Sequence, residues 1–350
     1  MSQGYRRHTR RRVAVLCAAF VAACAALLLN LFVGASGLTP WELIVALVDP
    51  GSVSMRTRAI VWDMRLPMAL MGALVGAALA VAGAVMQTML DNPLASPYTL
   101  GVSAGASVGA SLAMVMGASS LSLLGSFAIP SLAFVFALLC CGGIYLVGMR
   151  GRFSSTALVL AGIGMVFFFQ AVQSTLQYIA TEEALSGIVF WAFGSLAKAS
   201  PLNVSILAAV LAVCFVLFMR DGWRLTALCL GDERAEGMGV RVGALRRRLF
   251  VLTSLLTATA VSFVGSIGFI GIVGPHVARM LIGQDQRFLL PLSALCGSTL
   301  LSVASAASKI ILPGAVFPIG IITALVGVPF FFALLLGSGR GVRGAVRQES

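Results

Sequence analysis

The sequence predicts an all-α polytopic membrane protein of about ten transmembrane helices, some short or broken, with both termini cytoplasmic. Three observations lead there. Of its 350 residues, 59% are hydrophobic and only 10% charged, with a mean hydropathy of +1.01. No water-exposed surface tolerates that balance, so the solvent must be lipid. The apolar residues gather in runs of spanning length. When those runs are threaded back and forth, nineteen of the 24 Lys and Arg fall on one face. Only Arg56, Arg58, Arg65, Lys198 and Lys309 fall on the other, and the positive-inside rule makes the richer face cytoplasmic.

The elements follow in order. Residues 13–33, 66–90, 127–149, 156–179, 201–219, 249–270, 289–307 and 318–336 are clear spans. Stretches 97–117 and 271–283 are apolar but rich in Gly, Ser and Pro, and read as short or broken helices inside the bundle. Residues 1–350 thus form a single membrane domain: a basic tail 1–12, a bundle 13–337, a cytoplasmic loop 220–248 and a tail 338–350. The basic start followed by an apolar run imitates a signal peptide, yet it is long enough to span and lacks a small-residue cleavage site, so it reads as a retained first helix. Gly72, Gly76 and Gly83 allow close helix approach in the second span. Segments 34–63 and 181–200 lie outside, the latter as a short helix at the outer mouth. The seven cysteines show no paired metal-ligand spacing and read as small core residues. The net charge of +12 is split among short loops, which argues against a nucleic-acid partner. No extramembrane segment is long enough to fold as an enzymatic domain, so energy must come from a partner.

Four groups of residues stand out. The loop from Leu230 to Arg248 reads as two short helical pieces, with Gly237 and Gly239 placed to end the first. By composition it is a solvated connector with positive-inside charge; alternatively it is the knob through which a soluble motor applies force, its Ala235, Met238 and Val240 filling a groove. The stretch Met86–Ser107 interrupts helix at Pro93 and Pro97 and supplies Ser96, Thr99, Ser103 and Ser107. Irregular backbone at that depth must be buried in protein or line a wet path, and Asn92 could also cap the helix after Pro93. Gln87, Gln170 and Gln173 are polar candidates for the same pathway. In Gly265–Met280, Pro275 marks a helix start and His276 is a lone histidine unsuited to a metal site, while Arg279 is expected at the cytoplasmic face near Asp285 and Arg287. On the outer face, Arg65 and Lys309 either snorkel to headgroups or dock an acidic soluble partner.

Together these strings resemble the permease subunits of bacterial ABC importers for iron-siderophores, haem and cobalamin, the FecCD-like type II importers. The resemblance covers residues 60–337 and rests on RLP at Arg65–Pro67, GAALAVAGAVMQTMLDNPLASPYTLGVSAGAS at Gly76–Ser107, LGDERAEGMGV at Leu230–Val240, GFIGIVGPHVARMLIGQDQRFLLP at Gly268–Pro291 and PIGIITALVGVPFFFALL at Pro318–Leu335. It implies a homodimer or close heterodimer, two cytoplasmic ATPase subunits that bind ATP and Mg, an extracytoplasmic substrate-binding protein, and no cofactor on this chain, which sits in the cytoplasmic inner membrane. It implies that Leu230, Gly231, Asp232, Glu233, Ala235, Met238, Gly239 and Val240 couple to the ATPase, and that Arg65 and Lys309 dock the binding protein. The chain departs from the family pattern at Met68, where an arginine is frequent, and at Ser305 and Val316, where acidic residues are common, which alters the docking polarity.

The expected role is a non-catalytic permease that passes an iron-siderophore chelate, with haem or cobalamin as alternatives of the same kind. An ion-coupled secondary transporter is the alternative of a different class, but such a protein needs acidic groups within its spans and none of the Asp or Glu lies in a clear one. An intramembrane hydrolase would need an Asp pair or a Ser–His pair within the spans, and neither is present in the sequence.

Overall fold

The computed structural model describes residues 2–34, 37–117, 127–151, 153–312 and 316–346, with side chains from residue 9 to residue 333. Among them every regular element is helical. The order is α1 (Ser2–Phe32), α2 (Pro40–Val48), α3 (Met55–Ala59), a π-helical turn (Ile60–Arg65) and α4 (Leu66–Met89), then α5 (Val102–Val115), α6 (Ala128–Arg150), α7 (Ser155–Ile179) and α8 (Glu182–Ala192). These are followed by α9 (Pro201–Arg220), α10 (Gly222–Leu228), α11 (Asp232–Gly237), α12 (Val242–Val264), α13 (Ile270–Ile282), α14 (Gln286–Ser308) and α15 (Ile319–Val346).

Among the described residues seven helical stretches are long and apolar enough to cross a membrane: Thr9–Phe32, Met55–Met89, Ala128–Arg150, Ser155–Ile179, Pro201–Arg220, Val242–Val264 and Gln286–Ser308. Three shorter apolar helices, Val102–Val115, Ile270–Ile282 and Ile319–Ala333, accompany them. The first two are the Gly/Ser/Pro-rich stretches expected to be broken. Both expected tails differ: α1 reaches back to Ser2 and α15 continues to Val346, so helix outlasts hydrophobicity at each end. Arg152 and Arg347, and the side chains of Arg6, Arg7, Arg340 and Arg343, lie outside what is described.

α4 is apolar all round and correspondingly sits at the centre of the bundle. Its small residues explain how. A Cβ on Gly76 would strike the carbonyl of Gly297 in α14, and one on Gly83 the carbonyl of Gly271 in α13, so α4 meets both neighbours backbone to backbone. α5 packs on α6 in the same way, Gly109 against Leu132. By contrast α7 and α9 expose Leu160, Phe167, Phe168, Leu202 and Val213, apolar faces with no cover from the rest of the described residues.

Polar residues mark where helices begin. Thr39 and Glu42 cap α2 reciprocally, with Pro40 in its first turn. Ser154, Thr181, Ser200 and Asp285 accept backbone amides at the starts of α7, α8, α9 and α14. Two expected starts are corrected. Asn92 accepts the Leu94 amide at 2.9 Å and so closes a local turn, while α5 begins only after Gly101, whose φ is +85°. Pro275 lies inside α13 rather than at its start, and the His276 ring packs edge-on against Phe330 at 5.9 Å.

Candidate functional site

The irregular chain between α4 and α5 borders two adjoining clefts. The first, of about 230 Å3, is lined by Tyr98, Ser103, Ser107, Gln170, Gln173 and Ser266, with Phe169 and Val166 behind them. Its donors and acceptors are hydroxyls and amides without formal charge. Gln173 bonds Ser111 at 2.8 Å, tying α7 to α5. The second cleft, of about 510 Å3, shares Tyr98, Ala192 and Ser266 and is otherwise apolar, walled by Phe193, Phe269, Leu325 and Val328. Phe269 holds a left-handed φ of +66° at the start of α13. That conformation is costly for a residue with a side chain and is typical of functional breaks.

The structure brings Ser103, Ser107, Gln170 and Gln173 to one place but separates the rest of the expected pathway set. Ser96 and Thr99 bond each other reciprocally, the Thr99 hydroxyl donating to the Ser96 carbonyl at 2.8 Å and accepting the Ser96 amide at 3.0 Å. They hold the turn that presents Tyr98. Pro97 is buried and Pro93 exposed in the same bend. Gln87 is a correction: it is buried between α4 and α13, donating to the Gly271 carbonyl at 3.3 Å and accepting from Arg279 at 3.0 Å. Tyr98, Ser266 and Phe269 were not singled out in the sequence. A tyrosine between a proline and a threonine, in a stretch rich in small residues, is the one signal the sequence offers.

At one end of the bundle the segment carrying α11 forms an exposed knob, while most of α10 beside it is buried. Gly231, with φ +97°, and Gly239, with φ +83°, bracket α11; the glycine spacing predicts its end at Gly237 but not its start. Leu230, Asp232, Glu233, Arg234, Glu236 and Met238 are exposed on it. Ala235 and Val240, expected to reach a partner, are instead buried beneath the knob. The expected loop 220–248 is shorter than read, because α12 starts at Val242 and takes Arg246, Arg247 and Arg248 into helix. Arg246 is buried and grips Asp232 with two bonds of 2.7 and 2.8 Å. Its Nε donates to the Met89 carbonyl at 2.9 Å. Nearby, Asp221 is buried and pairs with Arg224 at 2.8 Å and Arg248 at 3.2 Å.

The same end receives the start of α1. Arg12 reaches Asp285 at 3.0 Å and lies over the Phe288 ring. The Arg287 hydrogen bond, joined by the charges of Arg287 and Arg12, holds the Asp285 carboxyl below its ordinary range against the opposing effect of burial. Arg279, expected near Asp285 and Arg287, donates to Gln87 at 3.0 Å.

At the opposite end, Arg65 and Lys309 are corrected most sharply. Arg65 is 6% exposed and donates to the carbonyls of Leu31, Phe32 and Gly34 at 3.4, 3.1 and 3.4 Å. Lys309 is 7% exposed and donates to the Asn30 carbonyl at 2.6 Å and its Oδ1 at 2.8 Å. Both cations close the carboxyl end of α1, whose last carbonyls have no helical partner. Neither snorkels, and neither presents its charge to solvent in this chain.

The family profile of the FecCD transport family matches residues 20–337. The chain is 36% identical over 225 residues to the hemin transport system permease protein HmuU of Yersinia pestis, covering 64% of this chain and 67% of that protein. It is 35% identical over 198 residues to the iron(3+)-hydroxamate import system permease protein FhuB of Bacillus subtilis, covering 56% and 51%. The matched segments span between 51% and 67% of the length of these and two further curated relatives. Among solved structures, an inward-facing conformation of a metal-chelate type ABC transporter superposes with a TM-score of 0.81 and 29% identity, covering 93% of this chain and 99% of that one.

Proposed function

This chain belongs to the FecCD transport family, and we propose that it is the multi-pass permease of an ATP-driven importer that moves an iron-siderophore chelate inward. Two copies would enclose the path. The uncharged cleft of Tyr98, Ser103, Ser107, Gln170, Gln173 and Ser266 opens beside the exposed apolar face of α7, which a second copy would cover. Both termini and the knob at Leu230–Val240 would then be cytoplasmic, in keeping with the distribution of Lys and Arg. There the knob would meet ATPase subunits that carry ATP and Mg, and a substrate-binding protein would deliver cargo to the opposite face. The chain itself would supply no catalytic group.

The observation that carries this reading is a family match running through nearly every span of a bundle that has an exposed knob at one end and a polar cleft within. The lining favours a bulky chelate over a bare ion, because hydroxyls and amides can contact the outside of a chelate without stripping or trapping charge. Relatives that carry hemin and iron-hydroxamate fit that class. The test is uptake in proteoliposomes that hold the permease and its ATPase, with the binding protein outside. ATP-dependent accumulation of an iron-siderophore in preference to haem, cobalamin or molybdate is expected. Preferential uptake of another of these cargoes would replace the substrate, and accumulation driven by an ion gradient without the ATPase would contradict the reading.

A further inference from the structure

The last turn of α4 receives hydrogen bonds from three other helices at three successive residues. Gln87 accepts from Arg279 of α13 at 3.0 Å, Thr88 from Gln286 of α14 at 3.0 Å, and the Met89 carbonyl from Arg246 of α12 at 2.9 Å. Of these three donors, Gln286 also bonds Thr226 and Cys229 at α10, and Arg246 continues to the exposed α11. Arg246 is buried, and its two terminal nitrogens hold Asp232, the first residue of α11. A guanidinium is planar and rigid, so a pull on the carboxylate moves the Nε donor with it, whereas a lysine would offer a single pivot. Beyond Met89 the chain folds back on the helix end, the Asn92 amide bonding the Gln87 carbonyl at 3.0 Å. The Ser96–Thr99 turn then fixes Tyr98, which borders both clefts.

We infer that Arg246 is a positioning residue that passes displacement of the α11 knob to the end of α4 and thence to Tyr98 at the cleft. It does this without contacting motor or cargo. The inference rests on the proposed importer function, since it needs a motor acting on α11. It goes further by naming the physical link between that surface and the path. Arg246 is buried in the first turns of α12, and without its carboxylate and carbonyl partners it would be a charge stranded in the bundle.

The experiment uses the complete importer, permease with ATPase subunits, in nanodiscs, with Tyr98→Cys labelled by an environment-sensitive fluorophore and the signal of the identically treated unsubstituted chain, which has Cys17 and Cys24 exposed, subtracted. ATP and vanadate are the probes, so no cargo need be known. In an otherwise unchanged chain, trapping the motors is expected to shift the fluorescence. With Arg246→Gln added, the motors remain bound and the shift falls by about fivefold or more, and Arg246→Lys lies between. A full shift in Arg246→Gln with the motors bound overturns the inference. If Arg246→Gln does not fold, Asp232→Asn decides: a diminished shift per bound motor supports the link, and an undiminished one overturns it. A chain with Arg246 intact that binds the ATPase but gives no shift also overturns the link. Failure to bind the ATPase at all removes the importer reading itself, and the link with it.

Discussion

The two ends of the bundle use the same residue types for opposite purposes. At the α1 carboxyl end, Arg65 and Lys309 are buried and their donors go to the chain's own carbonyls. At the knob, Glu233, Arg234 and Glu236 stand exposed while the buried Arg246 fastens α11 to the bundle. A charge beside a span can therefore be a cap, a tether or a contact surface. What separates these roles is whether its polar atoms already have partners. At the first end they do, so substitution there is expected to act on the fold; at the knob the ridge is unengaged, so substitution is expected to act on association.

The largest effect expected from this contrast is at Arg65. Arg65→Met strips a charged donor from three carbonyls and is expected to lower stability by about 3 kcal/mol, read as denaturation of the detergent-solubilised chain. Unchanged stability with slower capture of a soluble partner would return Arg65 to a docking role. Next is a pH dependence at Lys309. Burial, with the Arg65 charge second, lowers its ammonium from 10.5 to about 8. Between those values the unfolded chain holds a proton that the folded one lacks, so stability rises with pH through the window and is lower below it. Comparison with Lys309→Met isolates this rise, and identical pH profiles would exclude it.

Smaller changes follow at the knob. Joint replacement of Glu233 and Glu236 by Lys is expected to weaken ATPase binding about tenfold, about 1.4 kcal/mol, in a titration of purified subunits. The denaturation midpoint should move by no more than about 0.5 kcal/mol equivalent. A large loss of stability with normal binding would erase the distinction between the two ends. The smallest effect is at Arg12, partly exposed in its pair with Asp285. A double-mutant cycle of Arg12→Ala and Asp285→Ala should give a coupling of about 0.5 kcal/mol, and a coupling near zero would leave Phe288 as the main contact holding Arg12.

Features written in local composition were legible in the sequence. Runs of apolar residues locate the spans, the density of Gly, Ser and Pro marks α5 and α13 as short, and Gly237 and Gly239 end α11. Ser103, Ser107, Gln170 and Gln173 stand out because polar side chains are rare within apolar helices, and they meet at one cleft. What was not legible depends on partners distant in the chain. Arg246 reads as part of a loop because hydrophobicity resumes only near residue 249, whereas α12 begins at Val242. Its partner carbonyl, on Met89, lies 157 residues away. Arg65 resembles a surface charge until Leu31, Phe32 and Gly34 are placed beside it. Gln87 looks like pathway until Arg279, 192 residues later, takes its carbonyl oxygen. Composition indicates which residues are polar; only the fold pairs them.

The most direct test of the central claim is made on Met238, exposed at the tip of the knob. Met238→Cys is treated with a membrane-impermeant maleimide in right-side-out and inside-out vesicles, with and without the ATPase, and scored as the increment over the unsubstituted chain. Labelling only in inside-out vesicles, and protection there by bound ATPase, is expected. Labelling from the outside, or equal labelling whether or not the ATPase is bound, would contradict a knob that faces the cytoplasm and carries the motor.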